Sequence, residues 1–514
     1  MSQDWKNREP DRDQLERHLE HELKKRGMTR RDLVKGGAAM AGALGLGALF
    51  AACGGGDSGG EAAATTAEAA GTTAEQAATT AEAATTAEAA PAFTGTLRVT
   101  GLGVDLIDPI KEMAEAALGF TLAFDVTDSV TMVQKAITQP GSFDVFSGYS
   151  YQYDQAWPAG NFHNEEIAKL PHWAQMNPLM NYGFLNPTEG AGQGCSYGDG
   201  DAPFRGLYVD PDQTGAWQTN QNTPSELDGI IVQWIDESSG QPVGDEPLYT
   251  VGSPGAIYNM DSMGYNGDVI QKEPNDVSWA ELFNPEYKGR VALLNDPGIG
   301  MQDAALGARA LGLLQFGNVG NMTQEEIDAL TKVLIDRKDQ FRAFWTTFDE
   351  SVNLMASGEV VLESMWSPAV ALLVAQGQNV RYAAPPEGFR GWCGNLSISK
   401  EAESDPSLLQ ACYDYINWWY TGEPAALMMR QGYYNSVQET SREFVSPAEW
   451  DFWIEGAAAS EDLPGITGQV GDIKQGQTRD GGSLVQRACN YATWNSYFQE
   501  NEYQVQRWNE FLAA

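Results

Sequence analysis

Histidine and cysteine are scarce in this sequence, with four histidines and five cysteines among 514 residues. Beyond residue 53 only His163 and His172 remain, and no two cysteines form a C-x-x-C pair, so a zinc site or a dithiol redox centre has no support. Beyond residue 93 the chain lacks P-loop and H-E-x-x-H motifs. We therefore expect no metal, no cofactor and no enzyme. Hydrolysis by paired carboxylates stays the rival, because 70 acidic residues make chance pairs unavoidable.

Basic residues are also few, since 32 Lys and Arg stand against 70 Asp and Glu and give a formal net charge of −38. Such a surface repels nucleic acid and attracts cations. We expect no nucleic-acid partner. The same charge also fits simple solubility, so it does not identify a ligand.

Long apolar runs are missing as well. The uncharged stretch Gly36–Ala52 is short for a membrane span and poor in Leu, Ile and Val, which is typical of a signal segment. It follows the pair Arg30 and Arg31, which resembles a twin-arginine export signal, and it ends before Cys53, which resembles the lipidated cysteine of a bacterial lipoprotein. Residues 1–53 are thus predicted as a twin-arginine lipoprotein signal region. We expect the protein on the outer face of the cytoplasmic membrane, in the periplasm or at the cell surface.

Residues 54–92 consist almost entirely of Gly, Ala, Thr and Glu, with Thr-Thr-Ala-Glu recurring from residues 65, 72, 79 and 85. Without apolar side chains to bury, this stretch cannot offset its ordering entropy. It is predicted as a flexible tether between the anchor at Cys53 and the folded body.

Four cysteines follow the tether: Cys195, Cys393, Cys412 and Cys489. Export permits disulfides, and four cysteines allow three pairings, so the pairing stays open. Cys412 lies in a run with helical apolar spacing and is predicted to be buried on a helix.

Residues 93–514 are long enough for two lobes. Strand-like and helix-like segments alternate through them, which predicts an α/β fold with mostly parallel sheets. The predicted strands are Thr96–Thr100, Phe143–Phe146, Arg290–Leu294 and Val360–Leu362; the predicted helices are Pro109–Leu118, one ending at Leu314, one opened by a capping box at Thr323, and one opened by Asp405 and Pro406. Ligands in such folds meet the carboxyl ends of strands. This places Ser147–Tyr149, the turn after Leu294, and Trp366 on the expected ligand-facing loops.

The segment Ser278–Arg290 resembles the S-W-x-x-L-x-x-P-x-x-K-G pattern of family 1 extracellular solute-binding proteins. Further segments agree in order and spacing from about residue 94 to 440, and the resemblance is greatest to the spermidine/putrescine-binding branch of ABC transporters. Residues 180–247 look like an insertion.

This resemblance implies a two-lobed periplasmic-binding-protein-like fold of type II, with the ligand cleft between lobes joined by crossing strands. The crossings are expected near Tyr249–Tyr258 and Trp392–Ser399. Lobe 1 would comprise about residues 93–252 plus 394–440, and lobe 2 about 253–393 plus 441–514. The implied function is that of a monomeric receptor that passes a small solute, best described as a polyamine, to a permease.

The ligand-binding residues that the resemblance implies are Ser147, Tyr149, Trp366 and Trp392. The indole faces of the two tryptophans suit a cation. Several family positions differ: Pro297 and Gly300 replace an acidic pair, with only Asp296 adjacent, and Gly394 replaces another acid. Replacement acids could come from Asp105, Asp108, Asp128, Asp349 or Glu363.

Other features favour an anion. Arg479 occupies a polar family position, and glycines at 298 and 300 leave backbone N–H groups bare at the start of a helix. An amino acid or another carboxylated solute therefore stays open. So does ferric iron, because Tyr433 and Tyr434 with Tyr149 could act as tyrosine ligands.

Overall fold

In the computed structural model the described residues are 92–182, 198–199, 207–215, 227–231, 244–496 and 498–514. The predicted signal region with Arg30, Arg31 and Cys53, the tether, and Cys195 lie outside them. Among the described residues, no helix combines the length and apolarity that a membrane crossing requires.

Sixteen strands occur in the described part of the chain. They are β1 (Thr96–Gly101), β2 (Thr121–Val126), β3 (Val145–Tyr149), β4 (Glu165–Glu166), β5 (Tyr208–Gly215), β6 (Leu227–Ile231), β7 (Tyr249–Thr250), β8 (Ser253–Asn266), β9 (Val291–Leu294), β10 (Phe341–Trp345), β11 (Leu362–Met365), β12 (Val380–Tyr382), β13 (Phe389–Ile398), β14 (Leu463–Pro464), β15 (Val470–Ile473) and β16 (Tyr491–Asn495).

The α-helices of the same residues alternate with these strands. They are α1 (Asp108–Leu118), α2 (Ser129–Thr138), α3 (Tyr153–Ala156), α4 (Pro178–Tyr182), α5 (Gly300–Ala310), α6 (Gln324–Asp336), α7 (Phe348–Ala356), α8 (Ser367–Ala375), α9 (Pro406–Trp419), α10 (Glu423–Arg430), α11 (Pro447–Trp453), α12 (Leu484–Ala488) and α13 (Asn501–Ala513).

The main sheet has ten strands, in the order β10-β9-β11-β8-β13-β3-β1-β2, with β12 paired to β8 and β16 to β13. Pairing is parallel towards both ends, as in β1 with β2 and β9 with β10. It is antiparallel around the long central strands β8 and β13. These two strands overlap the predicted crossings, which confirms the expected α/β fold with crossing strands. The prediction of mostly parallel sheets is wrong for the described residues, because β8 pairs antiparallel with β11, β12 and β13, and β13 pairs antiparallel with β3.

Both central strands are almost wholly buried along their lengths. Burial on both faces explains why neither strand shows the alternation of polar and apolar residues that marks a half-exposed strand. The exact lobe boundaries stay a prediction. Within the predicted insertion at 180–247, the described strands β5 and β6 join β4 and β7 in a separate four-stranded sheet.

Helix starts follow their local capping chemistry. Thr323 accepts a hydrogen bond from the Glu326 N–H in a capping box, and Asp405 accepts from the N–H groups of Ser407 and Leu408. Each cap satisfies backbone donors that lack a partner within the helix. Both predicted helix starts are therefore confirmed.

Several predicted boundaries differ from the structure. Ser147–Tyr149 belong to β3 rather than to a loop, because their ladder with β13 continues as far as Gly394. The helix predicted to reach Leu314 ends at Ala310, since Gly312 adopts a left-handed φ of 73°. The strand predicted at Val360 begins two residues later, at Leu362.

The cysteines of the described residues fall into two kinds. Cys393 and Cys412 are free and buried, and Cys412 lies on α9 as predicted. Cys489 takes part in a disulfide.

Two glycines with positive φ differ in the space that a side chain would find, which allows backbone strain to be separated from steric overlap. Gly422, at the start of α10, has φ 101°, and a Cβ there would lie 1.9 Å from the Thr440 carbonyl oxygen. Gly312 also has a positive φ, but a Cβ there would meet nothing within 4 Å. We expect Gly312→Ala to lose about 1 kcal/mol of unfolding free energy from backbone strain alone. Gly422→Ala should lose clearly more, because a backbone carbonyl must move aside. Equal urea midpoints for the two variants would contradict this.

Candidate functional site

An aromatic cavity lies where the ends of several strands meet. It is lined by Leu102, Val104, Tyr149, Tyr151, Ile299, Trp366, Arg390, Trp392 and Tyr433, and we call this set the aromatic cleft. Its volume is about 20 Å³, roughly the space that one water molecule needs. A solute can enter only if these walls separate, as they do when the lobes of a hinged receptor open.

Trp392 is the central ring of the cleft. Its ring centre lies 5.4 Å from that of Tyr149 and 5.4 Å from that of Tyr433, with interplanar angles of 60° and 80°. Trp366, which precedes α8, packs edge-on against Trp345 at 5.1 Å. The faces and edges of these rings line a small volume from several sides, which is the arrangement that suits an organic cation.

Hydrogen bonds fix the Trp392 ring. Its Nε1–H donates to Oδ2 of Asp261 at 2.5 Å, and Oδ1 of Asp261 accepts from Asn259 at 2.9 Å and from the Tyr382 hydroxyl at 3.2 Å. Burial raises the pKa of Asp261 to about 6, against the opposing effect of the Arg390 charge. The buried carboxyl group of Asp261 thus fixes the orientation of the indole ring through its N–H.

Asp105 supplies a second buried carboxyl group. It lies on the loop after β1, its Oδ2 accepts a hydrogen bond from Ser147, and its Oδ1 has no partner among the described residues. Burial raises the pKa of Asp105 to about 7. Burial first, and then the Asp105 charge, also raises the pKa of Tyr149, so these two groups are electrostatically coupled.

Two tyrosine hydroxyls of the cleft are buried without a hydrogen-bond partner among the described residues, those of Tyr149 and Tyr433. Buried polar groups normally find partners, and those that do not often mark a ligand site. With Oδ1 of Asp105, these hydroxyls form a set of unsatisfied oxygens beside the aromatic rings. Such a set matches the N–H groups of an ammonium ion.

Arg390 adds the positive charge of the cleft wall. Its Nε–H donates to Oδ1 of Asp303 at 2.7 Å, and the β8–β13 register sets Arg390 opposite Asp261. Its Nη1 has no partner among the described residues. Three carboxyl groups, those of Asp105, Asp261 and Asp303, lie around this part of the site, which is net negative when they are ionised.

Asp105 is the only one of the five predicted replacement acids that the structure brings beside the cleft residues. Asp128 caps α2, whereas Asp108 and Asp349 lie exposed in the first turns of α1 and α7. Glu363 is buried, neither of its carboxyl oxygens has a hydrogen-bond partner among the described residues, and burial raises its pKa to about 8. It lies outside the residues that line the cleft.

Asp296 lies beside the cleft rather than in its lining. Its Oδ1 accepts from the N–H groups of Gly298 and Ile299 at 2.7 and 2.9 Å, and its Oδ2 accepts from the Tyr151 hydroxyl at 3.0 Å and from Ser129. The sequence predicted that the backbone N–H groups before α5 would be free to bind an anion. Asp296 already accepts hydrogen bonds from those of Gly298 and Ile299. This residue positions the β9–α5 loop.

Arg479 is placed in a different cavity of about 420 Å³, which shares no lining residue with the aromatic cleft. Its guanidinium lies 4.7 Å from the Tyr434 ring centre and 4.6 Å from that of Trp453. Tyr434 thus packs against Arg479, while Tyr433 packs against Trp392. The three tyrosines considered for ferric iron do not converge on one point.

Sequence reasoning brought Ser147, Tyr149, Trp366, Trp392 and Asp105 to one neighbourhood, but it missed Arg390 and Asp261. One signal was present: Arg390 stands two residues before Trp392, where the predicted crossing begins, and in extended backbone two such side chains share a face. Asp261 gave no comparable sign, because its role depends on a long-range strand pairing.

Comparison with known proteins gives a family match and local relatives. The family model for bacterial extracellular solute-binding proteins matches residues 106–451. The spermidine/putrescine-binding periplasmic protein of Escherichia coli K12 is 30% identical over 156 residues, which cover 30% of this chain and 41% of that protein. Spermidine/putrescine-binding periplasmic protein 1 of Haemophilus influenzae is 27% identical over 156 residues, covering 30% and 38%. The alignment thus spans less than half the length of these relatives.

A solved structure assigned to spermidine/putrescine ABC transport in Listeria monocytogenes is similar in fold. The TM-score is 0.51 at 16% identity, and the match covers 81% of this chain and 98% of that one. At this identity the likeness shows the fold alone.

The raised pKa of Asp105 predicts a pH-dependent stability. The folded protein keeps this proton up to about pH 7, whereas an unfolded chain releases it near pH 4. The unliganded protein should therefore lose stability as pH rises through this window. Asp105→Asn removes the titration and keeps an acceptor for Ser147, so its melting temperature relative to the parent should increase from pH 5 to pH 8. Asp349→Asn, at an exposed position, is the control. A constant difference across this range would contradict the prediction.

Proposed function

This chain belongs to the bacterial extracellular solute-binding proteins, and from that membership we propose that it captures a small solute outside the cytoplasm and passes it to the permease of an ABC importer. A receptor of this kind binds its solute in a defined ratio and releases it unchanged. The proposed state is a monomer, since one chain carries a complete cleft.

The proposed solute is a small organic amine, with a polyamine such as putrescine or spermidine as the first candidate. The observation that carries this proposal is the unpartnered Oδ1 of Asp105, set beside Tyr149 and Tyr433 at an aromatic cleft. A desolvated ammonium over an indole ring gains about 2 kcal/mol, and a carboxylate nearby offsets the cost of burying its charge. The names of the curated relatives support a polyamine within this class.

A second candidate solute is an amino acid or another amine that carries a carboxylate. The unpartnered Nη1 of Arg390 favours it, because a guanidinium edge binds a carboxylate with good geometry. The amine remains first, since Asp303 already pairs with Arg390 and Asp261 lies opposite.

We further propose that the receptor stays attached to the membrane. Export would use Arg30 and Arg31, and a lipid on Cys53 would anchor the mature chain. A flexible stretch of the length of residues 54–92 reaches on the order of 35 Å. The folded body could then meet a permease in the same membrane while remaining clear of the lipid surface.

Titration calorimetry tests the amine proposal. Putrescine or spermidine should bind at one site, and Trp392→Ala should weaken binding by about 10-fold, the equivalent of 1.4 kcal/mol. Trp392→Phe keeps an aromatic face and should lose less. Binding should strengthen as pH rises towards 7, because an ammonium selects the ionised form of Asp105. If neither amine binds and an amino acid does, the second candidate replaces the polyamine as the proposed solute.

Fractionation of cells tests the export route. Replacing Arg30 and Arg31 together by lysine should leave the protein in the cytoplasm, because the paired arginines are read by a receptor. Cys53→Ala should abolish lipid attachment while export continues. The parent chain is the control in both cases. Normal export of the double lysine variant would remove the twin-arginine proposal without affecting the solute.

A further inference from the structure

A second cavity of about 420 Å³ lies among α8, β12, the end of α10 and the segment from α11 to α12. Most of its lining comes from residues 452–487, beyond the region 106–451 that the family model matches. Four arginines line it, Arg381, Arg430, Arg479 and Arg487, and we call it the arginine cavity. We propose that it is a second ligand site, which binds a small organic monocarboxylate with an apolar or aromatic body.

Arg479 is the residue on which this proposal rests. Its Nη2–H donates to the Gly432 carbonyl oxygen at 2.8 Å, while its Nη1 is buried without a partner in the described part of the chain. No carboxylate of the described residues forms a salt bridge with it; burial lowers the pKa of Arg479 to about 10, against the opposing effect of the nearby Asp480 charge. The guanidinium carbon lies 4.7 Å from the ring centre of Tyr434 and 4.6 Å from that of Trp453, and these cation–π contacts hold the group in place. A guanidinium fixed in this way, with an unsatisfied edge, is ready to accept a planar anion.

The other arginines of the cavity are already engaged. Arg381 pairs with Glu273 at 2.5 Å, and Arg430 pairs with Glu449 at 2.7 Å. Arg487 donates to the carbonyl oxygens of Met260 and Asp480 at 2.6 and 2.7 Å, and its Nε has no partner among the described residues. An incoming anion would therefore find its open donors on Arg479 and Arg487.

Two acids limit the charge that the cavity can accept. Asp480 and Asp472 also line it, and Asp472 already accepts hydrogen bonds from the backbone and hydroxyl of Thr467. Their negative charges oppose a dianion such as phosphate. A single carboxylate matches the open donors of Arg479 and Arg487 without adding a second negative charge beside these acids.

The remaining walls suit an apolar body. Val370 and Val374 of α8 face the cavity together with Ile473, Phe452 and Trp453. A volume of about 420 Å³ falls within the usual range for small-molecule pockets, about 300–1,000 Å³. The combination of a fixed guanidinium and apolar walls indicates a carboxylate head on a hydrocarbon or aromatic body. Because the chain carries a formal net charge of −38, a site of this kind is needed to hold an anion at all.

The experiment uses the full chain and 4-bromobenzoate as the probe. Calorimetry should show one site for 4-bromobenzoate, and the neutral 4-bromobenzamide should not bind. Crystals soaked with the probe should show the anomalous signal of bromine inside the arginine cavity. Absence of binding, or bromine located only elsewhere, would overturn the proposal. Tighter binding of inorganic phosphate than of 4-bromobenzoate would overturn the assignment to a monocarboxylate.

Variants separate recognition from folding. Arg479→Gln should weaken 4-bromobenzoate binding at least about tenfold, and Arg479→Lys should weaken it as well, because the lysine keeps the charge but loses the forked donor geometry. Arg381→Gln is the matched control, since that arginine lines the same cavity but is already paired; it should bind within about threefold of the parent. Unchanged binding in Arg479→Gln would overturn the role of Arg479. Putrescine titration of the same variants tests the aromatic cleft separately, so failure at one site does not imply failure at the other.

Discussion

Strands β8 and β13 lie next to each other at the centre of the ten-stranded sheet, and the candidate site is positioned from their pairing. Their register sets Arg390 opposite Asp261 and Trp392 opposite Asn259. Directly opposed residues on antiparallel strands present their side chains to the same face. A guanidinium, a carboxylate and an indole therefore meet on backbone that is buried along its length. Because a buried charge is costly without its partner, a slip of one residue in this register would disrupt both the ion pairing and the cleft.

The local part of this fold could be predicted from the sequence. Capping residues such as Thr323 and Asp405 act on backbone groups within a few positions, so they can be recognised without knowledge of the rest of the chain. Strand ends were less predictable. β3 continues through Tyr149 because β13, far along the chain, supplies its hydrogen-bond partners. The same limit applies to the site: the rings of Tyr149, Trp366 and Trp392 were found through family resemblance, whereas Asp261 depends on a pairing that the sequence does not display.

Expectations from the sequence conflicted over the charge of the ligand. Trp366 and Trp392 favoured a cation, whereas Arg479 favoured an anion. The conflict arose because sequence order does not show which side of a segment a residue faces. Tyr433 and Tyr434 are neighbours, yet the first packs against Trp392 and the second against Arg479. Extended backbone sends successive side chains to opposite sides. The two charge preferences therefore belong to two separate cavities, and neither weakens the other.

The formal charge of −38 counts every carboxyl group as ionised. Burial raises the pKa values of Asp105, Asp261, Glu363 and Asp480 to about 7, 6, 8 and 6. Near neutral pH the folded protein thus retains protons that the unfolded chain gives up, since ordinary carboxyl groups ionise near pH 4. Its native charge is less negative than its composition suggests. Unfolding then transfers protons to the solution, so the heat measured by calorimetry includes the protonation heat of the buffer and changes with the buffer chosen.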